Sequence, residues 1–165
     1  MNSLKTLEVG RYGESIACLY LKNKGFSILA QNLRLNGYGT RGEIDILAIK
    51  DGVVHVVEVK AACLTGLNRE SILPESNLSQ IKIRKLRRLR SILLMRMSEG
   101  KSLFNDELCV EGLNIFISKV VITGIAVHIF VDANKSNCAG GELKGKHITI
   151  RERISSVKVR VFQDL

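Results

Sequence analysis

Three residues in the first half of the chain have the types and spacing for metal-assisted chemistry on phosphate: Asp45, Glu58 and Lys60. Two β-rich runs, Glu43 to Lys50 and Val53 to Ala61, are joined by Asp51-Gly52, a strong hairpin signal between such runs. A two-residue turn there pairs Lys50 with Val53. Carried along both strands, that register sets Asp45 opposite Glu58 and Glu43 opposite Lys60, with all four side chains on one face. Directly opposed Cβ atoms stand about 4.5–5.5 Å apart. Two carboxylates at that separation repel unless a cation lies between them or one takes up a proton. Hard cations such as Mg²⁺ are bound by one or two carboxylates together with water and phosphate oxygens. An ammonium two residues beyond Glu58 would help orient or deprotonate a water and stabilise charge on a phosphate. On the residues alone a salt-bridged cluster is an equal reading, with Glu43 and Lys60 as a cross-strand ion pair and Asp45 bonded to a loop.

The rest of the chain must hold this hairpin. Residues 3 to 24 read as a helix capped by Ser3, with Leu4, Leu7, Ile16, Leu19 and Tyr20 at helical spacing and Gly25 as its stop. Gly10 and Gly13 each cost such a helix about 1 kcal/mol relative to Ala. They mark either a break near residue 10 or a close approach to a neighbour. Phe26 to Leu35 reads as a first strand, followed by a Gly-rich loop over residues 36–42. Residues 64–77 read as a loop holding the one proline, Pro74. Ser79 caps a second helix reaching about Glu99, with Gly100 ending it. Residues 113–133 hold two β-rich runs divided near Thr123-Gly124, and the chain from Lys146 onward again reads as strand. One face of the hairpin carries Ile44, Ile46, Ala48, His55, Val57 and Val59. Away from the acids, the other turns to Leu47, Ile49, Val54 and Val56. Both faces are therefore to be covered. The expected fold is α/β: a single domain with a mixed β-sheet flanked by helices, its core over residues 3–133, a flexible insertion at 134–146 and C-terminal strands at 147–165.

The second helix is strongly basic. From Lys82 to Arg90 it carries Lys82, Arg84, Lys85, Arg87, Arg88 and Arg90, while Ile83, Leu86, Leu89 or Arg90, Leu93 and Met97 form an apolar stripe. The whole chain bears +9, from 25 Lys and Arg against 16 Asp and Glu. Such a helix can track phosphates with counterion release, Lys82 and Arg84 being nearest its start, where Ser79 and Gln80 could also meet a phosphate. It can equally serve as a solubilising face. No aromatic residues interleave the cations, so base stacking is not supported. Cys18, Cys63, Cys109 and Cys138 form no CxxC and have no histidine at a zinc-finger offset, which argues against a zinc site. His55, His128 and His147 have no acid or thiol partner at useful spacing and are read as packing or surface residues. No apolar run approaches the roughly 20 residues of a membrane span, and the first fifteen residues lack a signal-peptide core. The expected location is cytoplasmic, with no membrane partner.

Asp45 followed by Glu58-Val59-Lys60 on the next strand resembles the PD-(D/E)xK nuclease signature. The ordered set Gly13-Glu14, Ala17, Tyr20-Leu21, Gly25-Phe26, Ile28-Leu29, Asn32, Arg34, Gly42-Glu43-Ile44-Asp45 and Val57-Glu58-Val59-Lys60 resembles the YraN-like family of uncharacterised bacterial proteins. That family is similar in its core to archaeal Holliday-junction resolvases, and the match runs over roughly residues 8 to 95. The resemblance implies a restriction-endonuclease-like core and a Mg²⁺- or Mn²⁺-dependent endonuclease acting on nucleic acid, with DNA the expected substrate. Asp45 and Glu58 become metal ligands, with the Val59 carbonyl as a third. Lys60 becomes the catalytic lysine, and Glu14 the helical glutamate that reaches the metal site. Glu43 orients Lys60. Lys82, Arg84, Lys85, Arg87, Arg88 and Arg41 become nucleic-acid contacts, and a homodimer is implied by the likeness to resolvases. Two departures bear on substrate contacts: Ala61-Ala62 stand where relatives have an arginine, and a later Arg-Phe-Asp strand has no clear counterpart. The competing function is a non-catalytic nucleic-acid-binding module, or a repair- or ribosome-associated scaffold, that keeps the fold.

Overall fold

The computed structural model of the chain describes residues 3–37, 40–65, 79–98, 117–131 and 154–163. Helix α1 spans Ser3–Asn23, strands β1, β2 and β3 span Ser27–Gly37, Thr40–Lys50 and Val53–Thr65, helix α2 spans Gln80–Ser98, and β4 and β5 span Lys119–Val131 and Ile154–Gln163. The five strands form one mixed sheet in the order β1-β2-β3-β4-β5. Only β3 and β4 run parallel; the other pairs are antiparallel. This is the expected α/β architecture, consistent with a restriction-endonuclease-like fold, and β3 lies at its centre.

Local chemistry sets the reversals. At the end of α1, Gly25 takes φ +83°, its N–H bonds Lys22 O at 3.0 Å, and Phe26 N–H bonds Leu21 O at 3.0 Å. That pair of bonds is a Schellman cap, which needs a residue tolerant of the left-handed region. Asp51 and Gly52, at φ 50° and 74°, make the hairpin turn with two positive φ values that matches the twist of its strands. Ser118 then ties β4 to this turn, with its N–H and its hydroxyl both donating to Gly52 O, at 2.9 and 3.1 Å. Ser79 caps α2 through Lys82 N–H at 3.3 Å.

Alternation along β3 divides the core. Val54 and Val56 pack with Leu86, Leu89, Ile92 and Leu93 of α2; Val57 and Val59 pack with Ala17, Cys18 and Leu21 of α1. The helices therefore cover opposite faces. Each large aliphatic side chain fully buried here contributes about 1.5–3 kcal/mol, and aliphatics fill both layers.

Several expectations are corrected. The expected stripe on α1 is displaced: Leu7 and Leu19 are 55% and 60% exposed. The buried face is Gly13, Ala17 and Leu21 at four-residue spacing, and the small Gly13 and Ala17 let the helix lie close to β3. A Cβ at Gly13 would collide with the side chain of Ala61, whereas Gly10 has nothing within 4 Å, and the helix runs unbroken through both. The Gly-rich loop is mostly strand, since β1 and β2 stay paired to Gly37 and Thr40. There a Cβ at Gly42 would meet a Leu89 methyl at 2.8 Å, so the Leu89 side chain would have to shift to admit it. The expected division near Thr123-Gly124 is absent: β4 is continuous, with Gly124 beside Glu58 in the parallel ladder and the Thr123 hydroxyl 2.9 Å from His55 Nδ1. The expectations for Pro74, Gly100 and residues 134–146 lie outside the described residues, as does the side chain of Met97.

Gly13→Ala is expected to lower stability by about 1–3 kcal/mol despite its better helix propensity, because overpacking outweighs it. Gly10→Ala is expected to raise stability by about 0.5–1 kcal/mol. Urea unfolding of the two variants beside the parent checks the contrast.

Candidate metal centre

The ladder between β2 and β3 follows the expected register from Lys50↔Val53 to Ile46↔Val57 and stops there. Asp45 is the next residue on β2. Its Oδ2 accepts a hydrogen bond from Val59 N–H at 2.7 Å. A buried strand N–H needs a partner, and where β2 turns away the Asp45 carboxylate replaces the missing carbonyl. The alternation of β2 slips at the same place. Ile46 packs with α1, but Ile44, two residues earlier, packs with α2. Asp45 thus sits at a fork, on β2 between those two positions.

Glu58 is 0% exposed and lies on the α2 face with Val54 and Val56. Its Oε1 receives Lys60 Nζ at 2.6 Å and Lys82 Nζ at 3.0 Å. Its Oε2 is buried and has no hydrogen-bond partner among the described residues. Burial first, and the neighbouring Glu58 carboxylate second, push the Asp45 carboxyl up to about 6; the Val59 N–H, Lys82 and Lys60 work against that rise. Two carboxyls desolvated together, one with an orphaned oxygen, are a donor set that suits a hard divalent cation. Among the described residues no third His, Cys, Asp or Glu completes a cluster with them. The Val59 backbone stands between Glu58 and Lys60, hydrogen-bonded to Asp45.

Glu14 approaches from α1. Burial pushes its carboxyl up, a hydrogen bond with the Asn32 side chain opposes this, and Glu43 and Glu58 are both near enough to raise it further. Asn32 holds φ 52°, a left-handed conformation that asparagine tolerates better than most residues. The expected pairing of Glu43 with Lys60 is not formed. With the ladder ended at Ile46, Glu43 instead meets Arg34 of β1 at 3.3 Å, and Lys60 pairs within its own strand. Nor does Glu43 share a face with the other three, because the slip at Asp45 separates them.

The cations divide into two groups. Arg84, Lys85, Arg87 and Arg88 are exposed along α2, which carries no acidic residue. Gly42 lies against Leu89 and the Lys85 side chain, and Arg41, the residue before it on β2, is exposed. Lys82 instead turns inward to Glu58. Sequence reasoning missed that contact. The available signal was local: three residues after the Ser79 cap, where glutamate or glutamine is favoured, the chain has lysine. It also missed a row on the sheet. Lys60 is in register with Ala126, and Ala126 with Arg160; Ala62 likewise leads through His128 to Lys158. In-register neighbours share a face, so β5 brings two exposed cations to the Glu58 side of the sheet. Their signal was the alternation Val157-Lys158-Val159-Arg160-Val161.

Residues 13–110 match the profile of the uncharacterised protein family UPF0102. A UPF0102 protein of Persephonella marina is 35% identical over 108 residues, which cover 65% of this chain and 86% of that protein. One from Campylobacter fetus is 34% identical over 118 residues, 71% of this chain and 96% of that protein. One from Helicobacter hepaticus is 42% identical over 77 residues, 47% of this chain, and the matched part spans 60% of that protein. These names state a family and no activity.

The raised Asp45 carboxyl has a signed consequence. A folded-state value near 6 against an ordinary 3.8 means that the folded protein holds this proton more tightly than the unfolded chain. Its contribution to stability therefore falls as pH rises from about 4 to about 6. In metal-free protein, Asp45→Asn is expected to flatten that decline and to gain about 1–3 kcal/mol over the parent at pH 7. Urea midpoints of both proteins across pH 4–8 measure it.

Proposed function

The chain belongs to the uncharacterised protein family UPF0102, part of the PD-(D/E)xK-like nuclease superfamily, and from that premise we propose that it is a metal-dependent endonuclease that hydrolyses phosphodiester bonds of nucleic acid, DNA first. The observation that carries this reading is the pair of desolvated carboxyls at the β2–β3 fork, with an unpartnered Glu58 oxygen and the Lys60 ammonium alongside. No helix among the described residues is long and apolar enough to cross a membrane.

In this proposal Asp45 and Glu58, with the Val59 carbonyl, hold Mg²⁺ or Mn²⁺. The ion, when bound, supplies Lewis acidity toward a phosphoryl oxygen and a more acidic water. The chain's own residues do the rest. Val59 N–H fixes the Asp45 carboxylate at the fork, so the ligand does not have to be ordered on binding. Lys60, 28% exposed, is restrained by Glu58 and presents its ammonium to a phosphate oxygen or an attacking water. Glu14 stands at the margin of the site, where its carboxyl can take a proton or accept a hydrogen bond from a water. Arg84, Lys85, Arg87, Arg88 and Arg41 meet flanking phosphates, which fixes the strand without reading its sequence. A second reading, a binding module that does not cleave, rests on Glu58 being already neutralised by two lysines.

Purified protein with Mg²⁺ or Mn²⁺ is expected to cut branched, single-stranded or duplex DNA, or RNA, and to stop in EDTA. Asp45→Ala is expected to reduce the rate at least about 100-fold, and Lys60→Met by about 10²–10⁴-fold. Binding without cleavage on every substrate and with either metal would leave the module reading in place. Separately, Arg87→Ala and Arg88→Ala are each expected to lower the slope of log affinity against log salt by about 1, uniformly across sequences. Fluorescence anisotropy in a salt series measures that.

A further inference from the structure

We infer that Lys82 is an exchangeable counter-ion: it neutralises Glu58 before a divalent cation arrives, gives up the carboxylate to that cation, and carries its own charge to an incoming phosphate. The inference rests on the metal-site reading above and adds a coupling between metal and nucleic acid that the reading does not contain.

The first observation is the asymmetry at Glu58. Two ammonium groups crowd Oε1, at 2.6 and 3.0 Å, while Oε2, equally buried, has none. A buried carboxylate needs a counter-charge, and removing it altogether is strongly destabilising. One lysine from its own strand would supply that. The second lysine comes from a different element, the first turn of α2.

Second is the position of Lys82. Ser79 caps α2, with its hydroxyl accepting Lys82 N–H, so Lys82 lies in the turn where the helix dipole is positive and acids are favoured. A lysine there works against the helix unless an anion meets it. The acid in this case is not local but a buried residue on β3. α2 has no acidic residue of its own, so Lys82 has no competing partner within its helix.

Charge balance supplies the third argument. With Asp45 and Glu58 ionised, Lys60 and Lys82 make the group neutral. A dication added to those four leaves an excess of two positive charges in a desolvated space. If Lys82 withdraws and a phosphodiester enters, the group is neutral again. Lys82 is the member placed to do this: its contact with Glu58 is the longer of the two, 3.0 Å against 2.6 Å, and its neighbours on the outer face of α2 are the phosphate-facing cations of the proposal above. Metal and nucleic acid then favour each other's binding, and the coupling is reciprocal.

The test uses the full chain and two readouts that need no turnover. In metal-free protein, a double-mutant cycle of Lys82→Met and Glu58→Gln is measured by urea unfolding, and a coupling between the two sites is expected. Additivity overturns the inference whatever the metal does. Mn²⁺ binding is then followed by titration calorimetry in the parent, Lys82→Met and Lys82→Arg. Lys82→Met is expected to bind Mn²⁺ about tenfold more tightly than the parent, in keeping with the effect of one nearby charge, and Lys82→Arg to stay close to it. A short DNA duplex in the cell should tighten Mn²⁺ binding by the parent and not by Lys82→Met. Equal Mn²⁺ affinity in a folded Lys82→Met overturns the inference and leaves the metal site standing. Binding by Lys82→Met where the parent binds none supports it most strongly. No binding by any of the three overturns the metal site and the inference together.

Discussion

The arrangement depends on one hydrogen bond, from Val59 N–H to Asp45 Oδ2 at 2.7 Å. It occupies the place where the β2–β3 ladder would otherwise continue. Because a carboxylate can end the ladder without orphaning the neighbouring strand, β2 is free to turn away after Ile46. That departure opens a fork, and the buried Glu58 beside it keeps one carboxylate oxygen with no hydrogen-bond partner among the described residues. The same bond holds Asp45 in a desolvated position beside a second acid. Structure and chemistry are therefore one feature here: the residue that ends the strand pairing also creates the concentration of negative charge.

Such a concentration has a cost, and the surrounding elements offset it. Glu58 is met by lysines from β3 and from α2. Asp45 receives a backbone donor and carries a raised proton affinity. Glu14 and Asn32 close the α1 side. The helices are anchored well away from this strain. α2 grips the sheet through Leu86, Leu89, Ile92 and Leu93, and α1 through Ala17 and Leu21 with Gly13 laid against Ala61. Aliphatic layers on both faces give the rigidity with which a few polar groups can be held in an unfavourable spot, as expected of a preorganised site.

Much of this was legible in the order of residues. Asp51-Gly52 placed the hairpin and its register, because two consecutive positive φ values admit few residue types. Gly25 and Ser79 placed helix ends for the same kind of local reason. Errors arose where tertiary contact overruled local pattern. Leu7 and Leu19 looked like the inner face of α1, but close packing selected Gly13 and Ala17, which carry little hydrophobic signal. The opposition of Glu43 and Lys60 assumed that period-two alternation continues indefinitely. It breaks at Asp45, and nothing short of the three-dimensional ladder reveals that break. The meeting of Lys82 with Glu58 spans two elements joined by a crossover, so spacing alone could not display it. Gly124 was taken as a divider when it lies within the continuous β4, in register with Glu58.

The central claim is that the fork of Asp45 and Glu58 receives a divalent cation. The most direct measurement is an amide ¹H–¹⁵N spectrum recorded while Mn²⁺ is added at a small fraction of the protein concentration. The account predicts that the signals of Asp45, Glu58, Val59 and Lys60 broaden first, with those around Gly124 close behind, and that Mg²⁺ shifts the same set without broadening. Broadening centred on any other part of the chain, or none at these residues, would contradict it.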